Sequence, residues 1–211
     1  MKEKQLEKIK LFVQRQLESD TSGHDFYHID RVYQIAIHLA EKIDECDPFI
    51  VKAGALLHDS ADHKLTNPDV AMQRISDFLS DIHISQNDSI KILAVIPQIS
   101  YSADVPVQEL SIESKIIQDA DRLDALGALG IARTFTYGGF AGQAMAVTDD
   151  FLSDHCGNNG TSVSHFYDKL FKLPETLHTL EAKKIAQTRV TYMQNFLKQM
   201  KYEWFSKDIN K

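Results

Sequence analysis

Residues 48–59 read Pro48-Phe49-Ile50-Val51-Lys52-Ala53-Gly54-Ala55-Leu56-Leu57-His58-Asp59. Ile50, Ala53, Gly54 and Leu57 recur at three- and four-residue steps, the period of a buried helix face. Asp47-Pro48 supplies the N-cap and N1 residues that start such a helix. It closes on two ligand-type side chains, His58 and Asp59. Adjacent helix residues project about 100° apart, so this pair can share one ion only if it lies between their directions near the helix end. That position leaves room for ligands from other helices.

Two further ligand-type residues sit among core-forming neighbours. His28 begins the stripe His28, Val32, Ile35, Ala36, Leu39, Ile43, and Asp119 lies among Ile112, Ile116, Ile117, Ala120 and Leu123. A carboxylate on a core face costs several kcal/mol of desolvation unless opposite charge meets it there. Too few Lys or Arg residues occupy these stripes to neutralise both Asp59 and Asp119. A bound divalent cation held by His28, His58, Asp59 and Asp119 is the economical explanation. Two nitrogens and two oxygens without thiolate suit manganese, iron, cobalt, nickel or zinc, and tolerate magnesium less well.

Helical periodicity extends over nearly the whole chain, in stripes at 4–17, 27–44, 48–58, 68–81, 88–100, 111–123 and 181–200, with no convincing strand pair. The expected class is all-α. Asn67-Pro68 repeats the cap-plus-proline start, and Thr21-Ser22-Gly23 marks a turn after the first helix. In the last stripe Ile185, Ala186, Val190, Met193, Phe196, Leu197 and Met200 form a core face. Residues 137–160 read as non-helical, a surface connection or an active-site lid. Nothing demands a domain boundary, so one domain over 1–211 is expected, with a metal-site core at about 23–136 and C-terminal helices at about 161–205 packed on it.

The 211 residues are 43% apolar, enough for a sizeable core. No apolar run of membrane-spanning length and no leader pattern is present, which makes a cytoplasmic protein without membrane contact the expectation. Cys46 and Cys156 have no paired spacing and read as free thiols. A formal charge of −7 argues against a nucleic-acid surface but not against a small anionic ligand in a cleft. The oligomeric state is not legible.

The ordered ligand set has distinctive flanks: Gly23-His24-Asp25-Phe26-Tyr27-His28-Ile29-Asp30-Arg31-Val32, Leu57-His58-Asp59-Ser60-Ala61-Asp62-His63-Lys64, and Gln118-Asp119-Ala120-Asp121-Arg122-Leu123-Asp124-Ala125. Together they resemble the HD-domain superfamily of metal-dependent phosphohydrolases, in its YpgQ-type bacterial branch. Gly130-Ile131-Ala132-Arg133 and His165-Phe166-Tyr167-Asp168-Lys169-Leu170 are similar too, so the resemblance covers nearly the whole chain. It implies an all-helical bundle that cleaves (deoxy)nucleoside triphosphates to monophosphate and pyrophosphate with a metal-activated water. Manganese stands first among the candidate ions. The alternatives are a nucleoside monophosphate phosphatase and a nucleotide-binding sensor without turnover.

The resemblance also assigns roles. Asp62, one turn beyond Asp59, stands where other superfamily members place a catalytic carboxylate, as general acid or water-orienting base beside the catalytic Asp59. Arg31, Lys64 and Arg122 are the candidate phosphate clamps, followed by Lys169 and Arg133. A competing reading pairs Arg31 and Arg122 with Asp25, Asp30, Asp121 and Asp124. His24 stands four residues before His28, but Gly23 puts it at or before the helix start, so His28 is the ligand and His24 an outer position. The stretch 90–101 contains no histidine, where two-metal members carry extra ones, so one ion is expected.

Overall fold

The computed structural model describes residues 1–17, 26–60, 67–99, 106–152 and 159–209. These form ten α-helices and no strand: α1 (Lys2–Gln16), α2 (Phe26–Ala40), α3 (Pro48–Leu57), α4 (Pro68–Asp81), α5 (Gln86–Ile99), α6 (Ile112–Asp124), α7 (Gly127–Phe140), α8 (Asp149–Leu152), α9 (Ser162–Asp168) and α10 (Leu180–Trp204). Short 3-10 segments at Val107–Glu109 and Leu170–Thr176 complete the all-α fold. The chain divides into two compact units, 1–121 and 122–211. Among the described residues no helix is long and apolar enough to cross a membrane.

The first unit is built around α3. Every residue of this helix except Pro48 and Lys52 is buried, and it packs against α1, α2 and α5. A helix apolar all round can be satisfied only in a core. Asp47 starts it as expected, its Oδ1 accepting from Phe49 N at 2.9 Å, and Asn67 caps α4 by accepting from Asp69 N at 3.0 Å. Gly54 permits close packing: a Cβ there would come within 2.7 Å of Ile117 Cδ1 and 2.9 Å of Val95 Cγ2. At the end of α4, His83 takes a positive φ of 60°, and the buried Gln5 of α1 donates its side-chain N–H to His83 O at 2.8 Å. The turn expected at Thr21-Ser22-Gly23 lies outside the described residues.

In the second unit α7 packs against α9 and α10. Phe135 of α7 meets Phe166 and Phe196 at ring-centroid distances of 6.0 and 6.1 Å. The expected core stripe of the last helix is buried at Ala186, Val190, Met193 and Leu197. Two parts of the 137–160 reading need correction, because α7 continues to Phe140 and α8 occupies Asp149–Leu152. Glycine-rich sequence lowers local helix propensity, but packing of its small residues overrides that penalty. The lid expectation falls partly on residues 153–158, outside the described set.

Asp150 organises this region. Only 1% exposed, its carboxylate accepts from Val147 N (2.8 Å), Asn159 Nδ2 (2.7 Å) and Thr161 Oγ1 (2.7 Å). Thr161 in turn caps α9 through a reciprocal pair with Ser164. Asp150→Ala strands these three donors, and a urea titration should show a loss of about 2 kcal/mol.

Candidate metal centre

Two imidazoles meet near helix ends. His28 lies in the first turn of α2 and is 1% exposed. His58 follows the last residue of α3, and the two rings sit edge to face with centroids 5.3 Å apart. His58 Nδ1 lies 2.8 Å from Ala55 O. A carbonyl only accepts, so Nδ1 carries a proton, and in the neutral imidazole Nε2 keeps its lone pair. That Nε2 is buried and has no hydrogen-bond partner among the described residues. Leaving it so costs about 1–3 kcal/mol, which coordination of a cation would remove.

Carboxylates converge on the same point. Asp59 places Oδ1 3.3 Å from His58 Nε2 and Oδ2 3.5 Å from His28 Nε2. The ligand atoms of His28, His58 and Asp59 all lie within 4.8 Å of one another. Asp121 Oδ1 stands 3.5 Å from His28 Nε2 and 3.9 Å from His58 Nε2. Atoms bonded to one ion at about 2.0–2.3 Å, with bond angles of 90–120°, are separated by about 2.8–4.0 Å. The carboxylate-to-imidazole distances of 3.3 to 3.9 Å therefore fit a single divalent ion, whose positive charge would turn the repulsion between carboxylate oxygens and an imidazole lone pair into attraction.

Asp121 stands near both imidazoles, although the sequence points to Asp119. Asp119, the expected ligand on α6, is completely buried, and neither it nor Asp121 belongs to the three-residue group. Lying two residues before Asp121, it points about 200° away around the helix, so the two cannot face the same ion in the same way. The apolar stripe of α6 favours Asp119, yet Ser114, Ile116, Ile117, Gln118, Ala120 and Leu123 are all buried. With core on nearly every side, a stripe no longer marks the face that carries chemistry. The available signal was the spacing Ser114, Gln118, Asp121, a second helical face with polar members.

The other named residues divide sharply. Arg31 is half-buried on α2, one turn beyond His28. Asp62 and Lys64, like His24, lie outside the described residues. Arg122 donates through one terminal nitrogen to Thr176 O at 2.6 Å and approaches His178 Nε2 at 3.2 Å. Arg133 pairs at 2.7 Å with Asp124, whose side chain is 1% exposed. Lys169 ends α9 beside His165, whose imidazole is held below its usual pKa by burial and by the Lys169 charge.

Comparison with known proteins identifies the family. The HD domain family model matches residues 25–126, a span holding His28, His58, Asp59 and Asp121. YpgQ of Bacillus subtilis is 35% identical over 206 residues, covering 95% of this chain and 94% of its own. The chain belongs to the HD-domain family. An HD-superfamily hydrolase from Bacillus thuringiensis superposes with a TM-score of 0.79 at 40% identity, covering 98% of this chain and 100% of that one. B. subtilis YpgQ in complex with ADP superposes equally well, with a TM-score of 0.79 at 32% identity over 96% of each chain. HD domains are metal-dependent phosphohydrolases, and the cluster described above fits the divalent ion that such a domain binds.

Proposed function

We propose that this HD-domain protein is a mononuclear metal-dependent phosphohydrolase that cleaves (deoxy)nucleoside triphosphates to monophosphate and pyrophosphate. The observation that carries the reading is the convergence of two half-buried carboxylates, Asp59 and Asp121, on the buried imidazoles of His28 and His58, with His58 Nε2 held ready to ligate. The ADP bound by YpgQ supports a nucleotide as the ligand class. When bound, a divalent ion lowers the pKa of a coordinated water and polarises the phosphoryl oxygen that gathers charge. Manganese is the first choice for this donor set, with iron, cobalt, nickel, zinc and magnesium as alternatives.

Two carboxylate ligands cancel the charge of a divalent ion, so a polyphosphate needs further cations from the protein. Arg31, one turn from His28, and Lys64, five residues after Asp59, are the proposed phosphate contacts. Arg133 is a weaker candidate, because withdrawing it would strand the buried Asp124 carboxylate. Asp62 is the proposed proton-handling carboxylate, orienting the attacking water or protonating the leaving oxygen. We treat the chain as one HD-type domain for this purpose.

The test is direct. Chelator-stripped protein is given manganese and each nucleoside triphosphate, ribo and deoxy, and pyrophosphate, orthophosphate and monophosphate are quantified separately. Pyrophosphate with monophosphate supports the proposal. Orthophosphate from monophosphates alone would replace it with a phosphatase, and binding without any product would replace it with a sensor. The ligand assignment has its own check, since Asp121→Asn should weaken manganese binding by about 10- to 100-fold in calorimetry. Asp119→Asn is measured beside it, and a loss of that size at position 119 instead would make the buried Asp119 the ligand that α6 supplies.

A further inference from the structure

The face of α6 that carries Asp121 also carries a buried polar clamp that the reaction does not use. Ser114 is 0% exposed and Gln118 4% exposed. Both grip a single residue, Gln98, in the last turn of α5: Ser114 Oγ donates to Gln98 Oε1 at 2.7 Å, and Gln118 Nε2 donates to Gln98 O at 2.6 Å. Ser111 anchors the start of the same face, its Oγ accepting from Ser114 N at 3.1 Å and lying 3.1 Å from Ser114 Oγ. Gln98 O is one of the carbonyls that a helix end leaves without an intrahelical donor, so Gln118 caps α5 from another helix.

Ser114, Gln118 and Asp121 follow one another at steps of four and three, and therefore share a face. Two bonds from successive turns of α6 to one residue resist both rotation and sliding of the helix. Rotation matters because a side-chain tip about 5–6 Å from the helix axis moves about 2 Å for a 20° turn. Metal–ligand bonds tolerate only about 0.2 Å. A hydrophobic side chain at position 118 would fill the space but would remove one of the two bonds that set the rotation of α6 and leave Gln98 O without its donor.

We infer that Gln118 is a positioning residue for the metal centre, fixing the rotation of α6 through Gln98 so that Asp121 meets the imidazoles of His28 and His58. This rests on the reading of Asp121 as a ligand given above. The assignment concerns an amide that touches neither the ion nor the substrate.

The experiment measures manganese affinity by calorimetry on the full chain, with thermal melting of the metal-free protein alongside. Gln118→Met keeps the length and removes the donor, and is expected to weaken manganese binding by about 10-fold. Ile75→Val, a core change on α4, serves as a control for destabilisation alone and should leave the affinity unchanged. If Gln118→Met melts earlier but binds manganese as tightly as the parent, its role is structural and the inference is overturned. Gln118→Asn, which keeps the amide one methylene short, takes its place if the methionine variant does not fold. Asp121→Asn is run in parallel: unchanged binding there overturns the ligand reading and this inference together, whereas loss there with no change at Gln118 overturns only the inference.

Discussion

Asp59→Ala leaves a folded protein that neither retains manganese nor releases pyrophosphate. Asp59 is the residue whose two oxygens address both imidazoles, at 3.3 and 3.5 Å. Outer hydrogen-bond partners of a metal site cost about 10- to 100-fold in affinity, so loss of a ligand serving both histidines should exceed about 100-fold. Melting the metal-free variant beside its metal-free parent separates loss of the ion from loss of the fold. With manganese at 100 times its dissociation constant, the parent gains about 2.7 kcal/mol and melts later, while the variant does not respond. Calorimetry, melting with and without manganese, and pyrophosphate release check the three parts. Metal content and turnover that survive the substitution would remove the metal centre from the mechanism.

Gly130→Ala is the substitution expected to do most harm to the fold. A Cβ at this position in α7 would stand 2.2 Å from Ala125 O and 2.6 Å from Ala125 C. Both are main-chain atoms, so the overlap cannot be relieved by a rotamer change and the backbone entering α7 must move. The cost should be about 3–5 kcal/mol, at the upper end of what one added methyl group does. Gly139, in the same helix, offers the opposite case, because nothing lies within 4 Å of its added Cβ. Gly139→Ala should stabilise by about 0.5–1 kcal/mol through helix propensity and a less flexible unfolded chain. Urea denaturation of the pair tests whether space or glycine content decides. Equal effects would show that the close approach at Gly130 is unimportant.

Helices with a strong local cause were legible in the sequence. Asp47-Pro48 and Asn67-Pro68 begin α3 and α4 because the cap and the proline act within a few residues, and both caps are formed. The stripe from His28 and the apolar run before His58 placed three donors on elements that do converge. Less legible was whatever depends on partners distant in sequence. The helix α7 contains Gly127, Gly130, Gly138 and Gly139, each unfavourable in isolation, and forms because the second unit packs tightly against it. Asp119 and Asp121 are equally acidic and two residues apart. Only the placement of α6 against α2 and α3 side chains sets which way each carboxylate points, and no local pattern encodes that rotation. The cations raise the same difficulty, since Arg122 and Arg133 engage Thr176 and Asp124, across gaps that spacing does not predict.

The bond from His58 Nδ1 to Ala55 O has a consequence for inheritance. The acceptor belongs to the main chain, so no replacement of a side chain can delete it, and the tautomer of His58 is insulated from point mutation at position 55. The Ala55 oxygen carries two lone pairs, so even a longer helix that used one of them for the amide of Asp59 would leave the other for the imidazole. The tautomer of His58 thus rests on main-chain geometry alone, and only a change that moves the backbone of residues 55–58 resets it.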